Sequence, residues 1–203
     1  KPITAADHIR GSISAPIKVV EFSDIECPFC KTFHNTMLTI DKEYVATGKI
    51  AWVFRQFPLV QLHSKAPKEA EATECAAELG GNDKFWQYLD KLFATTPSND
   101  KIDLAVLPKI AKDLGLDTKS FEACLASGKY TAKVAESVAE ANAAGGQGTP
   151  FPVIISDQPI TGDLSQYEQN GYIEVSPDRT RIALKGALPV DAVRGILNAA
   201  LAK

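Results

Sequence analysis

Two cysteines separated by two residues, Cys27-Pro28-Phe29-Cys30, lie between segments of opposite character. Residues 17–22 are short, β-branched and apolar, which is typical of a strand buried on both faces. From Pro28 onward apolar residues recur every three or four positions, as on one helix face: Phe29, Phe33, Met37, Ile40 and Tyr44. Proline is favoured at the first helical position, so Cys27 is predicted at the N-cap. The chain therefore passes from a buried strand into a helix at the cysteine pair.

This position favours redox chemistry. A thiol at a helix N-terminus faces unpaired backbone N–H groups and the positive end of the helix dipole. Such sites lower a cysteine pKa from about 8.5 into the range of about 3.5 to 7.5. We expect Cys27 to be the nucleophile and Cys30, one turn further on, to resolve the mixed disulfide. This chemistry requires no cofactor.

A metal site is the alternative interpretation of the same residues. Cys27, Cys30 and His34 have a spacing that zinc sites use, and His63 could supply a fourth ligand. The chain has no second CxxC and no HxxxH pair, which such sites usually add. We therefore prefer the redox interpretation and predict no metal.

Two glutamates could tune the cysteines. Glu21 lies six positions before Cys27 in the apolar strand, where a buried carboxyl group could exchange a proton with Cys30. An exposed edge position is the alternative, and Arg55 on the next strand is a candidate partner. Glu26 directly precedes Cys27, and we expect it to be exposed and to oppose thiolate formation modestly.

The segment Gly148-Thr149-Pro150 precedes another apolar stretch, FPVII. A cis bond before Pro150 would present the backbone of Thr149 to an extended chain, although only about 5 to 6% of X-Pro bonds are cis. The nearby glycines lack the GK[ST] of a phosphate loop, so no nucleotide site is predicted.

The remaining pattern is a strand–helix–strand unit, a helical insertion and a closing ββα segment. The second strand covers residues 50–57, and consecutive helices are predicted between about 65 and 144. Residues 171–184 suggest a hairpin turning near Ser176, and a helix with Pro189 near its start ends the chain. We place the domain boundaries at 1–62, 63–144 and 145–203.

Composition narrows the function. The net charge of −3, without a basic stripe, argues against nucleic acid as a partner, and no apolar run reaches membrane-spanning length. A start at Lys1 suggests that a signal or membrane anchor was removed. Cys75 and Cys124 lie on predicted helices and are either two buried thiols or a disulfide, which would imply an oxidising compartment.

Several motifs in order resemble the DsbA family of thiol-disulfide oxidoreductases in the thioredoxin superfamily. They are VVEFSDIECPFCKTFH, VFRQFPL, EATECAAELG, NDKFWQYLDKLF, LGLDTKSFEACLASGKY, GTP and GALPVDAVRGIL, and together they span nearly the whole chain. The resemblance implies an α/β thioredoxin fold with an inserted all-helical domain. It also implies that Cys27 and Cys30 are catalytic, that Pro150 is a cis-proline, and that Cys75 pairs with Cys124.

The implied activity is extracytoplasmic or periplasmic introduction of disulfides into reduced or misoxidised secreted proteins. A DsbB- or VKOR-like, quinone-linked membrane protein would reoxidise the chain, which we expect to be a monomer. Reduction or isomerisation of disulfides with the same residues is the alternative. Phe29 replaces the histidine of the best-known oxidising members, which suggests a milder oxidant. An additional Pro152 and the long 156–184 region also depart from the family pattern.

Overall fold

The computed structural model describes residues 1–202, within which six strands form one sheet. The strands are β1 (His8–Arg10), β2 (Ile17–Ser23), β3 (Ile50–Gln56), β4 (Phe151–Ser156), β5 (Ile173–Val175) and β6 (Arg181–Leu184), in the spatial order β1-β3-β2-β4-β6-β5. Every residue of β2 and β3 is buried, as the continuous apolar runs predicted. The short strand β1 was not predicted from the sequence.

Seven helices accompany the sheet in the described part of the chain. They are α1 (Pro28–Ile40), α2 (Ala66–Thr95), α3 (Leu107–Asp113), α4 (Thr118–Ser127), α5 (Thr131–Ala143), α6 (Ser165–Gln169) and α7 (Val190–Leu201). A π-helical turn, Asp41–Val45, follows α1, and a 3₁₀ turn, Leu104–Val106, precedes α3.

Helix α1 begins at Pro28 and buries most of the predicted apolar face. Phe33, Met37 and Ile40 are fully buried. Phe29 departs from the expectation, since 66% of its surface is exposed. It lies in the first turn of the helix, and its side chain projects into solvent instead of packing against the rest of the protein.

Helix α2 contains a break that the sequence signalled by Gly80-Gly81. Gly81 has φ 72° and ψ −169°, a conformation open to glycine and strained for other residues, so it separates two helical stretches. The predicted stop near these glycines is confirmed. The helices α3, α4 and α5 follow within a few residues of their predicted bounds.

The C-terminal part contains the predicted hairpin. Strands β5 and β6 are antiparallel, with Glu174 opposite Ala183, and Ser176 lies in the turn between them. The short helix α6 was not predicted. Gly162 lies against the last helix so closely that an added Cβ would be 2.2 Å from the Ala199 carbonyl oxygen.

The chain divides into two compact units. One contains residues 1–22, 32–55 and 150–203, and therefore most of the sheet; the other contains residues 23–31 and 56–149, and therefore helices α2 to α5. The cysteine pair belongs to the second unit. The three-part division at 62 and 144 remains a prediction. None of the helices described between residues 1 and 202 is long and apolar enough to cross a membrane.

Candidate active site

Cys27 lies at the N-cap of α1, as predicted. Its carbonyl oxygen accepts the first helical hydrogen bond, from the Lys31 amide at 3.1 Å. Its thiol donates to the carbonyl oxygen of Thr149 at 3.5 Å. Pro150 follows Thr149 directly and is buried. The cis bond and the contact of Thr149 and Pro150 with a substrate backbone remain predictions.

The surroundings of Cys27 favour its thiolate. The pKa of Cys27 is lowered to about 6, first by a hydrogen bond from the Cys30 thiol and against the opposing effect of burial. The Thr149 side chain and the backbone amides of Cys30 and Phe29 lower this pKa further. Those two amides belong to the first turn of the helix, the source of stabilisation that the sequence predicts.

Cys30 has the opposite character. Its side chain is 0% exposed, and its sulfur accepts a hydrogen bond from the Asp24 amide at 3.4 Å. Burial, the hydrogen bond to Cys27 and the charge of Cys27 raise the pKa of Cys30 well above its ordinary value. At neutral pH one sulfur is therefore largely anionic and its neighbour keeps its proton.

Asp24 organises the loop before the helix, a role that was not predicted from the sequence. Its Oδ1 accepts the Glu26 amide at 2.8 Å. Its Oδ2 accepts the Leu59 amide at 2.7 Å and contacts Nδ1 of His63 at 2.9 Å. An acidic residue three positions before a helix-capping cysteine is a signal for such a turn, but its long-range partners leave no local pattern.

Glu26 is buried, which corrects the expectation that it is exposed. It has 0% exposure, and its carboxylate accepts hydrogen bonds from the Thr96 hydroxyl and, at 3.0 Å, from the Lys101 amide. Its backbone oxygen also accepts the Asn99 amide at 2.7 Å. The segment after α2 supplies these donors, and nothing in the local sequence around Glu26 indicates them.

Glu21 is also fully buried, and its Oε2 accepts a hydrogen bond from the Trp52 indole at 2.9 Å. Arg55, the partner suggested from the sequence, instead pairs with Asp7 at 2.8 Å. Residues 52 and 55 are three apart in β3, so their side chains point to opposite faces of the sheet. The proposed proton exchange between Glu21 and Cys30 remains a prediction.

The two histidines of the metal alternative contact other side chains. Across residues 1–202, no group of three or more His, Cys, Asp or Glu side chains is placed to hold a metal ion. The His34 ring packs against Trp52, with centroids 5.2 Å apart. The suggested fourth ligand, His63, is bonded to Asp24.

A disulfide joins Cys75 on α2 to Cys124 on α4. The two residues are 49 positions apart, so the bond links two helices of the insertion. Cys27 and Cys30 are present as free thiols. The four cysteines thus form one disulfide and one pair of free thiols.

Three large apolar side chains in the compact unit that holds the cysteine pair are exposed. Phe29, between the cysteines, is 66% exposed, while Val60 and Leu62 are 53% and 70% exposed. The loop carrying Val60 and Leu62 is held by Asp24 through the Leu59 amide. Exposed apolar side chains mark a surface for a partner where they form one contiguous patch.

Comparisons with known proteins agree with this architecture. The structure of alpha-DsbA1 from Wolbachia pipientis matches over 98% of this chain and 92% of its own, with a TM-score of 0.76 and 20% identity. BdbD of Bacillus subtilis matches over 96% of this chain and 92% of its own, with a TM-score of 0.74 and 21% identity. These likenesses confirm the predicted thioredoxin fold with an inserted helical domain.

Curated relatives match only in part. A Na(+)/H(+) antiporter NhaA 3 of Salinispora tropica is 35% identical over 144 residues, which are 71% of this chain and 21% of the antiporter. The chain therefore spans about a fifth of the length of such relatives. The profile of the family described as Thioredoxin matches residues 4–174, most of the chain. The sequence profile shows that the chain belongs to the thioredoxin family, and the sheet order and the cysteine pair at the start of α1 are consistent with that membership.

Proposed function

We propose that the protein is an extracytoplasmic thiol-disulfide oxidoreductase that transfers a Cys27–Cys30 disulfide to reduced secreted proteins. The observation that carries the proposal is the contrast between the two sulfurs. The pKa of Cys27 is lowered to about 6, whereas that of the buried Cys30 is raised. A stabilised thiolate beside a protonated thiol is the pattern that such exchange requires.

In the first step a substrate thiolate attacks the Cys27 sulfur of the oxidised protein. A bond forms between the substrate and Cys27, the Cys27–Cys30 bond breaks, and Cys30 leaves with the electron pair and takes up a proton. The high pKa of Cys30 favours that protonation. The intermediate is a mixed disulfide at Cys27.

In the second step another substrate thiolate attacks the substrate sulfur of the mixed disulfide. The substrate disulfide forms and Cys27 leaves as a thiolate. The substrate loses two electrons and the protein gains them. Since the Cys27 thiolate is stabilised, this departure is favourable and oxidation of the substrate is the preferred direction.

The pKa of Cys27 also indicates how strong an oxidant the protein is. A pKa of about 6 for Cys27 lies between those of the strong oxidant DsbA, about 3.5, and of thioredoxin, about 7. We therefore propose a reduction potential between about −120 and −270 mV. This agrees with the milder oxidant expected from Phe29 in place of histidine.

Partners and location belong to the same proposal. The exposed Phe29, Val60 and Leu62 suit an unfolded protein with apolar segments. The Cys75–Cys124 disulfide suits an oxidising compartment, periplasmic or otherwise outside the cytoplasm. A quinone-linked membrane protein of the DsbB or VKOR kind would reoxidise the monomeric chain. Ion transport is not proposed, because the chain matches about a fifth of the antiporters' length.

The test is disulfide trapping with a reduced secreted protein that contains two cysteines. We expect Cys30→Ser, activated at Cys27 as a mixed disulfide with a small aromatic thiol, to exchange and form a stable covalent complex. Cys27→Ser, treated identically, is the matched control and should form none. Equilibration with glutathione then decides direction. A potential at or below about −270 mV, the value of thioredoxin, or no complex with Cys30→Ser, would overturn the oxidase proposal.

A further inference from the structure

Helix α2 carries a buried glutamate that the exchange steps do not use. Glu69 is 0% exposed, and neither carboxyl oxygen has a hydrogen-bond partner among residues 1–202. An ionised carboxylate in this setting would lose its water contacts without replacement, at high cost in free energy. The groups around Glu69 therefore decide whether its carboxyl group is protonated or ionised.

Those neighbours are acidic. The Glu69 carboxyl group lies beside that of Glu26 and also interacts electrostatically with Asp24 and Asp100. Burial first, and then Glu26, raise the pKa of Glu69 to about 9. Two ionised carboxylates offer only acceptors to each other, whereas a protonated Glu69 becomes a donor to Glu26. One proton thus gives the otherwise unpartnered Glu69 carboxyl group a partner.

Glu26 in turn holds the segment that follows α2. Its carboxylate and backbone oxygen accept bonds from Thr96, Lys101 and Asn99. Three consecutive residues there, Ser98, Asn99 and Asp100, have φ of 65°, 57° and 63°. Non-glycine residues reach this left-handed region at a cost, so the segment depends on its contacts with Glu26.

We propose that Glu69 is a positioning residue for Cys27: it holds a proton between its carboxyl group and that of Glu26, and this bridge keeps residues 96–101 fixed against the residue that precedes the nucleophile. The inference rests on the proposed function, since the position of Cys27 matters only if Cys27 reacts. When Glu69 ionises, its proton goes to water, and repulsion between two carboxylates loosens the segment. No electrons are exchanged in this step.

Other groups facing the pair have their own partners. Asp24 accepts two backbone amides and contacts His63. Asp100 accepts the Lys65 amide and the Ser64 hydroxyl, which lower its pKa, so it stays ionised. Burial raises the pKa of Tyr88, whose hydroxyl donates to a backbone oxygen. Neither Asp100 nor Tyr88 can therefore imitate a titration of Glu69 near pH 9.

The experiment compares wild type with Glu69→Gln, which has nearly the same shape, stays neutral and offers an N–H donor to Glu26. Unfolded glutamate loses its proton near its ordinary pKa of 4.5, whereas folded Glu69 keeps it to about 9. Between these values the folded state binds the extra proton, so wild-type stability falls as pH rises. Relative to Glu69→Gln, the unfolding equilibrium constant of wild type should rise up to about tenfold per pH unit.

A second readout follows Cys27 itself. We expect the rate of alkylation of reduced wild type to rise with the thiolate fraction of Cys27, through a first transition near pH 6. The rate should then change a second time near pH 9, where Glu69 ionises. Glu69→Gln should keep the first transition and lose the second. Glu122→Gln, at an exposed glutamate of α4, is the matched control and should retain both.

Parallel stability curves for wild type and Glu69→Gln would overturn the inference. If that variant does not fold, a carboxyl NMR titration of wild-type Glu69 replaces it, and a midpoint near the ordinary glutamate value would overturn the inference equally. Failure of the proposed function is separate, because it appears as absence of trapping by Cys30→Ser. Retained trapping with parallel stability curves would leave the oxidoreductase standing and remove the role of Glu69.

Discussion

The backbone amide of Asp24 donates a hydrogen bond to the sulfur of Cys30, at 3.4 Å. The same residue uses its carboxylate to hold the Glu26 and Leu59 amides. One buried residue therefore joins the Cys30 sulfur, the turn before α1 and the loop that carries Val60 and Leu62. Its side chain can be tested without altering the amide that faces Cys30.

We expect Asp24→Asn to destabilise the protein by about 1 to 3 kcal/mol. The asparagine NH₂ group must replace either Oδ1, which accepts the Glu26 amide, or Oδ2, which accepts the Leu59 amide. In either orientation a backbone N–H of Glu26 or Leu59 faces another donor and loses its acceptor. Denaturant unfolding of the oxidised protein measures the loss. Asp83→Asn, at an exposed position, is the control, and equal stability of the two variants would contradict this account.

The ultraviolet absorbance of the Cys27 thiolate should titrate with a midpoint near pH 6 in the reduced protein. The pKa of Cys27 is lowered from 9.0 on folding, so its thiolate contributes stability that is fully present above about pH 9 and is lost as pH falls through about 6. The stability of the reduced form relative to the oxidised form should rise with pH across this interval.

Two measurements check this expectation. Thermal melts of both redox forms at several pH values give the relative stability, and the oxidised form is the internal control because its Cys27 cannot ionise. The contribution of Glu69 has the opposite sign but is common to both forms, so it cancels in the difference. A thiolate midpoint above pH 8 would show that the helix terminus and the Cys30 thiol do not act on Cys27 as the geometry indicates.

Replacing both Cys75 and Cys124 by serine should lower the free energy of unfolding by about 4 kcal/mol, the chain-entropy value for a loop closed across 49 positions. The exchange rate at Cys27 should stay unchanged, since the two pairs are chemically separate. Denaturant unfolding and the trapping assay measure the two effects. The double replacement avoids the free thiol that a single one would leave. A lost exchange activity in a folded double variant would speak against the separation.

The sequence predicted the elements with strong local signals. The apolar runs of β2 and β3, the start of α1 at Pro28 and the break near Gly81 all depend on residues within a few positions, and all are present. Strand β1 has only three residues, and α6 only five, so neither develops a period long enough to detect.

The site was predictable where it is local and missed where it depends on distant contacts. The position of Cys27 at a helix terminus follows from Pro28 and the preceding strand. The burial of Glu26 depends on donors some seventy positions away, at Thr96 and Lys101. Phe29 fits the helical period but lies in the first turn, where periodicity alone does not tell a buried side chain from an exposed one.

The left-handed segment Ser98-Asn99-Asp100 restricts how this chain can vary. Asparagine, aspartate and glycine tolerate this backbone region, while β-branched side chains clash there. A valine or isoleucine in the segment would withdraw the Asn99 or Lys101 amide from Glu26 without touching either cysteine. Three small polar residues outside the CPFC motif thus help to determine the structure around Cys27, because their backbone conformation places the amides that hold Glu26.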